Sequence, residues 1–219
     1  HLIPFDYAGI LVLDPHNEYF KALRQHPNHA QLVFYSTSPE SGAVSLRFNL
    51  ASVRPWHFDG VMNFTDAQRE AMYVYYKAFG SNWISAIKDG REDDGGRTKR
   101  VFEGTLAVLQ RRLDLALDDR VFVSAGSETT ASDIVNAVLK GKKAVVDTSN
   151  LAGESELLVG SILASELFSA CKRNQDARRP VAAIVLEEAP RVLSGQAGPS
   201  VFASIAREGR KFGLGLIAV

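Results

Sequence analysis

Four short apolar runs do most to limit what this chain can fold into. Residues 10–13, 144–147, 182–186 and 214–219 are almost wholly aliphatic. They lack the in–out alternation of a strand with one wet face, which is how buried parallel strands read. Helix-patterned sequence separates them, so the expected fold is α/β, a mostly parallel sheet covered by helices. LVFYS (32–36) reads as a further strand, and VSLRFNL (44–50) as an edge strand or hairpin arm. Thr65 and Gln68 form a capping-box pattern at the head of a helix over 65–88. Met72, Tyr75, Tyr76, Phe79, Trp83 and Ile87 give that helix one apolar stripe, and Gly80 is a point where it can divide. Residues 105–117, 130–140 (capped by Thr130) and 154–174 are the other expected helices, with one more before the strand at 214. The expected organisation is a first core segment over 1–50, a mainly helical insertion over 51–140 and a second core segment over 141–219.

Bulk properties exclude little but are consistent. Lys plus Arg and Asp plus Glu both number 25 in 219 residues, so net charge selects no nucleic acid partner. A DNA-binding face would need local clustering or a ring of subunits. Cys171 is the single cysteine, so no internal disulfide forms, which fits a reducing cytoplasm. No 18-residue uncharged apolar window and no signal peptide occur, so no membrane association is expected. The chain begins at His1 and ends inside an apolar run, and is expected to be part of a longer protein.

Acids stand at three strand ends: Asp14, Asp147, and the adjacent pair Glu187–Glu188. Polar residues commonly mark where strands leave a core, but parallel sheets also bind ligands at their carboxyl ends. Two adjacent carboxylates repel unless a cation or a bound water uses them. Successive strand residues face opposite ways, which would give one glutamate a metal and the other an attacking water. In DPHNEY (14–19), Asp14, His16 and Glu18 alternate in the manner of metal ligands on a strand, yet Pro15 and Asn17 favour a turn that lines a nucleotide pocket. IAREGRKFG (205–213) gathers Arg207, Arg210 and Lys211 around Gly209. It suits either a helix end complementing its dipole or an arginine reaching a phosphate. The loop 88–100 carries Arg97, Lys99 and Arg100 beside Glu92, Asp93 and Asp94. It reads as a solvated, mobile loop or as a non-specific phosphate contact.

Taken in order, GILVLDPHNEY, KKAVVDTSNLAGE, AAIVLEEAPRVL and SIAREGRKFGLGLIAV resemble the HerA family of hexameric DNA-translocating ATPases, within the HerA–FtsK group. The resemblance implies a RecA-like P-loop NTPase core using ATP and Mg²⁺. It implies that Glu187 organises the metal, that Glu188 polarises the attacking water, and that Arg210, with Arg207 second, reaches a neighbour's nucleotide. Asp14, His16 and Glu18 would lie near the nucleotide. It further implies a homo-hexamer around double-stranded DNA, acting with a NurA-type nuclease in end resection and break repair. Three departures stand out: Asn17 replaces a common Gly, Pro190 replaces a common His, and no Gly-x-x-x-x-Gly-Lys-Ser/Thr loop occurs. That loop is expected before His1, and without it this chain alone would not hold ATP properly. Other expectations of the same sequence are a conjugative-transfer or defence motor of the group, and a non-catalytic ring scaffold for a nuclease.

Overall fold

The computed structural model describes residues 3–124, 128–151, 153–174, 176, 179–189 and 198–219. A six-stranded sheet forms its centre: β1 (Ala8–Asp14), β2 (Leu32–Ser36), β3 (Val44–Ser45), β6 (Lys143–Asp147), β7 (Val181–Leu186) and β8 (Leu214–Ala218). Its order is β3-β2-β6-β1-β7-β8, and every pairing is parallel. Among the described residues β8 pairs only with β7, leaving it as an edge.

Consecutive residues of β1 and β6 serve two cores, as the two-residue period of a strand requires. Leu11, Ala144 and Val146 join the larger core, while Val12 and Val145 join a smaller one with Phe20, Leu32 and Phe34. The larger core is closed by α5 (Ala131–Leu139), α6 (Glu154–Arg173) and α7 (Ser200–Glu208). The smaller is closed by α1 (Glu18–Leu23). Cover on that second face thins towards β7 and β8, where Val181 and Ile217 are exposed.

Helices α2 (Asp66–Phe79), α3 (Trp83–Lys88) and α4 (Glu103–Ala116) form a block beside the sheet. The Thr65 side chain accepts from the Gln68 N–H at 3.3 Å, and Gln68 accepts from the Thr65 N–H at 3.0 Å. Gly80, at φ 56°, separates α2 from α3. Trp83 is fully buried and donates its indole N–H to the Val53 carbonyl at 2.9 Å, meeting the polar need of a buried indole.

Three local expectations change. VSLRFNL divides: its start, β3, is an edge strand of the main sheet as expected, while β4 (Phe48–Asn49) pairs in parallel with β5 (Phe122–Val123) in a small second sheet. Thr130 precedes α5 but does not cap it, because its hydroxyl exchanges hydrogen bonds with the backbone of Arg47. The charged loop 88–100 is tied back on itself, Asp93 accepting from the Thr98 N–H at 2.8 Å and Thr98 from the Asp93 N–H at 2.9 Å.

Candidate functional site

Strand register lines up the acids. Asp14 pairs with Asp147, which pairs with Ser36 on its other side. Leu13 pairs with Leu186, so Glu187 emerges one step beyond, beside Asp14. One row of side chains thus crosses the carboxyl edge of four neighbouring strands.

Most of that row is engaged internally. Asp147 is buried and accepts from the Ser36 hydroxyl at 2.7 Å and from the Ser149 N–H at 2.9 Å. Asp14 is 1% exposed and accepts from the backbone N–H groups of His16, Glu18 and Tyr19 at 3.2, 3.3 and 3.0 Å. Glu18 and Tyr19 open α1 and their N–H groups have no helical partner of their own, so Asp14 caps that end. Asn17 turns the chain at φ 53°, ψ 41°, a left-handed conformation that asparagine tolerates better than other residues with a Cβ. DPHNEY is therefore a turn. Its alternate residues form no metal-binding face, and among the described residues no group of three or more His, Cys, Asp or Glu is placed to hold an ion. The Glu18 side chain is exposed in the first turn of α1.

The glutamate pair faces that turn. Glu187 is half-buried and its Oε1 accepts from the Tyr19 hydroxyl. The Tyr19 pKa is pushed up to about 12, first by this hydrogen bond to a carboxylate and then by burial. Glu188 Oε1 lies 2.7 Å from His16 Nε2, with both side chains about half exposed. The two acids have different partners within that one turn. They sit in a turn after β7, and Glu188 adopts a left-handed backbone at φ 51°. That turn is pinned on both sides, since Val219 donates to the Leu186 carbonyl at 3.0 Å and Ala189 to the Val219 carbonyl at 2.9 Å. Pro190 lies outside the described residues. A cavity of about 20 Å³, room for about one water, lies under Glu187, between Thr148, Glu156 and Phe202.

The arginines lie elsewhere. Leu214, the first residue of β8, pairs with Ala182 near the start of β7. The turn carrying Arg210 therefore sits at the amino edge, about 16 Å of strand away from the acids at roughly 3.3 Å per residue. Arg210 is exposed, and Arg207, also exposed, reaches Ser204 Oγ at 3.5 Å. Lys99 pairs with Glu92 at 3.3 Å, whereas Arg97 and Arg100 line a groove of about 380 Å³ with Lys77 and Phe102.

Tyr19 is a site residue that the sequence pattern alone did not single out. Its signal was available: one helical turn after a strand-end acid, a hydroxyl-bearing aromatic follows the residue that bends the chain.

A parallel α/β sheet binds ligands at the carboxyl ends of its strands, and the separately held acids stand at that edge. The chain belongs to the family described as the HerA helicase central domain, whose model matches residues 2–167. The match includes the turn of Asp14–Tyr19 and stops before Glu187. Comparison with curated proteins gives no match. Among solved structures, the chain is similar to the bacterial conjugative coupling protein TrwBdeltaN70, with a TM-score of 0.61 and 10% identity over 96% of this chain and 56% of that one. It is also similar to VirB4 of Thermoanaerobacter pseudethanolicus, with a TM-score of 0.53 and 14% identity over 97% of this chain and 62% of that one. The core is RecA-like, as in both. At these identities the likeness concerns the fold. The chain spans roughly three-fifths of the length of each. No described helix is long and apolar enough to cross a membrane.

Proposed function

We propose that this chain is the ATPase portion of a ring-forming motor that moves along double-stranded DNA, in the service of end resection and break repair beside a NurA-type nuclease. The observation that carries the reading is the acid pair: two adjacent carboxylates past a central parallel strand, each held by its own partner. In this reading Glu187 holds the shell of Mg²⁺ and Glu188 orients the attacking water. A half-buried carboxylate, with no three-acid cage among the described residues, suits Mg²⁺, which keeps waters and takes phosphate oxygens. ATP, when bound, supplies the phosphoanhydride whose cleavage drives movement. Asp14 builds the turn, while His16 and Glu18 border the nucleotide side. Arg210, with Arg207 second, acts on a neighbouring subunit, because the two ends of the sheet are too far apart for the same subunit's acids. Arg97, Lys99 and Arg100 would meet DNA phosphates without reading sequence. Residues 51–140 serve as the insertion that distinguishes this motor's surface from the bare core.

The likeness to a conjugative coupling protein favours one second reading, a motor that moves DNA between cells. Both readings require turnover. In the full-length protein, DNA-stimulated ATP hydrolysis is expected, and Glu188→Gln should lower kcat by about 10²-fold or more while nucleotide binding persists. Wild-type rings without any turnover would sink both readings and favour the scaffold.

A further inference from the structure

Consecutive glutamates pose a physical difficulty. Two carboxylates one peptide unit apart repel each other and compete for the same cation. In this fold the difficulty is met by one short segment on the neighbouring strand. Tyr19 donates its hydroxyl to Glu187 Oε1, and His16 Nε2 stands 2.7 Å from Glu188 Oε1. Both partners belong to the turn that Asp14 closes through three backbone N–H groups. That turn is continuous with β1, which is held to β7 in register through Leu13 and Leu186. Donors and acids therefore sit on the ends of two strands that cannot slide independently.

We propose that Tyr19 and His16 are positioning residues that separate the paired acids, Tyr19 aiming Glu187 at its cation and His16 holding Glu188 away from that cation for the water. The inference rests on the acid-pair reading above. A phenol has one proton to donate, so Tyr19 fixes one carboxylate oxygen and leaves the other to the metal. Glu188 needs a holder more than Glu187 does, because a left-handed backbone is unfavourable for a residue with a Cβ. His16 supplies a partner on the side to which that conformation sends the carboxylate. Outer-shell groups of this kind commonly set metal affinity and turnover without touching the reacting atoms.

The test uses the full-length assembled protein. Mn²⁺ affinity would be measured by electron paramagnetic resonance with a non-hydrolysable ATP analogue, alongside kcat, KM and thermal melting. Tyr19→Phe is expected to weaken Mn²⁺ binding about tenfold, with analogue binding in chelator and melting unchanged. His16→Ala is expected to lower kcat about tenfold or more at unchanged Mn²⁺ affinity. His16→Gln, which keeps an N–H donor, should recover part of that loss and serves if the alanine variant is poorly folded. Wild-type behaviour of Tyr19→Phe and His16→Ala beside defective Glu187→Gln and Glu188→Gln would overturn the positioning roles alone. Silent glutamine variants would overturn the acid-pair reading, and the positioning roles with it.

Discussion

Two buried side chains show how a single residue's surroundings settle its role. Asp14 stands at a strand end beside His16 and Glu18, in sequence that reads as a turn. Its burial and its three backbone partners direct its charge to the turn and the start of α1. His57 is the second. It is 1% exposed, and its Nδ1 accepts from the Arg54 N–H at 3.1 Å. Burial, with the Arg54 charge second, lowers its pKa from 6.5 to about 4. An unfolded chain takes up a proton near pH 6.5 that the folded chain refuses until about pH 4. Stability is therefore full above pH 6.5 and falls as pH drops towards 4. The loss reaches about 3 kcal/mol at roughly 1.4 kcal/mol per unit. Urea unfolding at pH 7, 5.5 and 4.5 should show this slope. His57→Asn, which keeps an acceptor but cannot titrate, should remove that part of it. Equal slopes in the two proteins would assign the pH dependence to carboxylates.

At the scale of elements, β1 and α5 meet backbone to backbone at Gly9. A Cβ built on Gly9 would stand 1.8 Å from the Val138 carbonyl oxygen, which is backbone and cannot swing aside. Gly9→Ala must push α5 off the strand. A loss on the order of 3 kcal/mol is expected, typical of severe overpacking, and the midpoint of denaturant unfolding should fall accordingly. Near-wild-type stability would mean that α5 is held less tightly to the sheet than this contact requires. The same helix shows where sequence reading reaches its limit. Its apolar period and its stop at Gly141 are local and legible. The use of Thr130 was not, because the hydroxyl that resembles a cap meets Arg47, 83 residues away. α2 is the opposite case: its capping box is made within one helix and stands as the sequence suggested, while the stripe runs on past Gly80 into α3 through Trp83 and Ile87.

For the whole molecule, the separation between acids and arginines carries the most consequence. Glu187 and Glu188 lie at the carboxyl edge of the sheet, and Arg210 lies at the amino edge. If Arg210 acts on nucleotide, it does so across a subunit boundary, as head-to-tail rings permit. Rings of Arg210→Ala alone and of Glu188→Gln alone should both be inactive. Mixed in equal amounts they should regain some hydrolysis, since roughly a quarter of randomly formed interfaces would join an intact acid to an intact arginine. Failure to recover any activity, with mixed assembly verified, would remove Arg210 from the neighbour's site.

The sequence by itself determined the aliphatic runs that become strands, the periods that become helices and the bend at Asn17. It also put acids at strand ends and carried the resemblance that names the family. All of these are set by side-chain chemistry within a few residues. The strand order, the splitting of residues 44–50 between two sheets and the internal use of Asp14 and Asp147 belonged to the tertiary structure. So did the meeting of His16 with Glu188 across 172 positions and of Tyr19 with Glu187 across 168. Those features depend on which strands become neighbours. Neighbours are chosen by burying whole faces at once, a free energy summed over the molecule that no local pattern records.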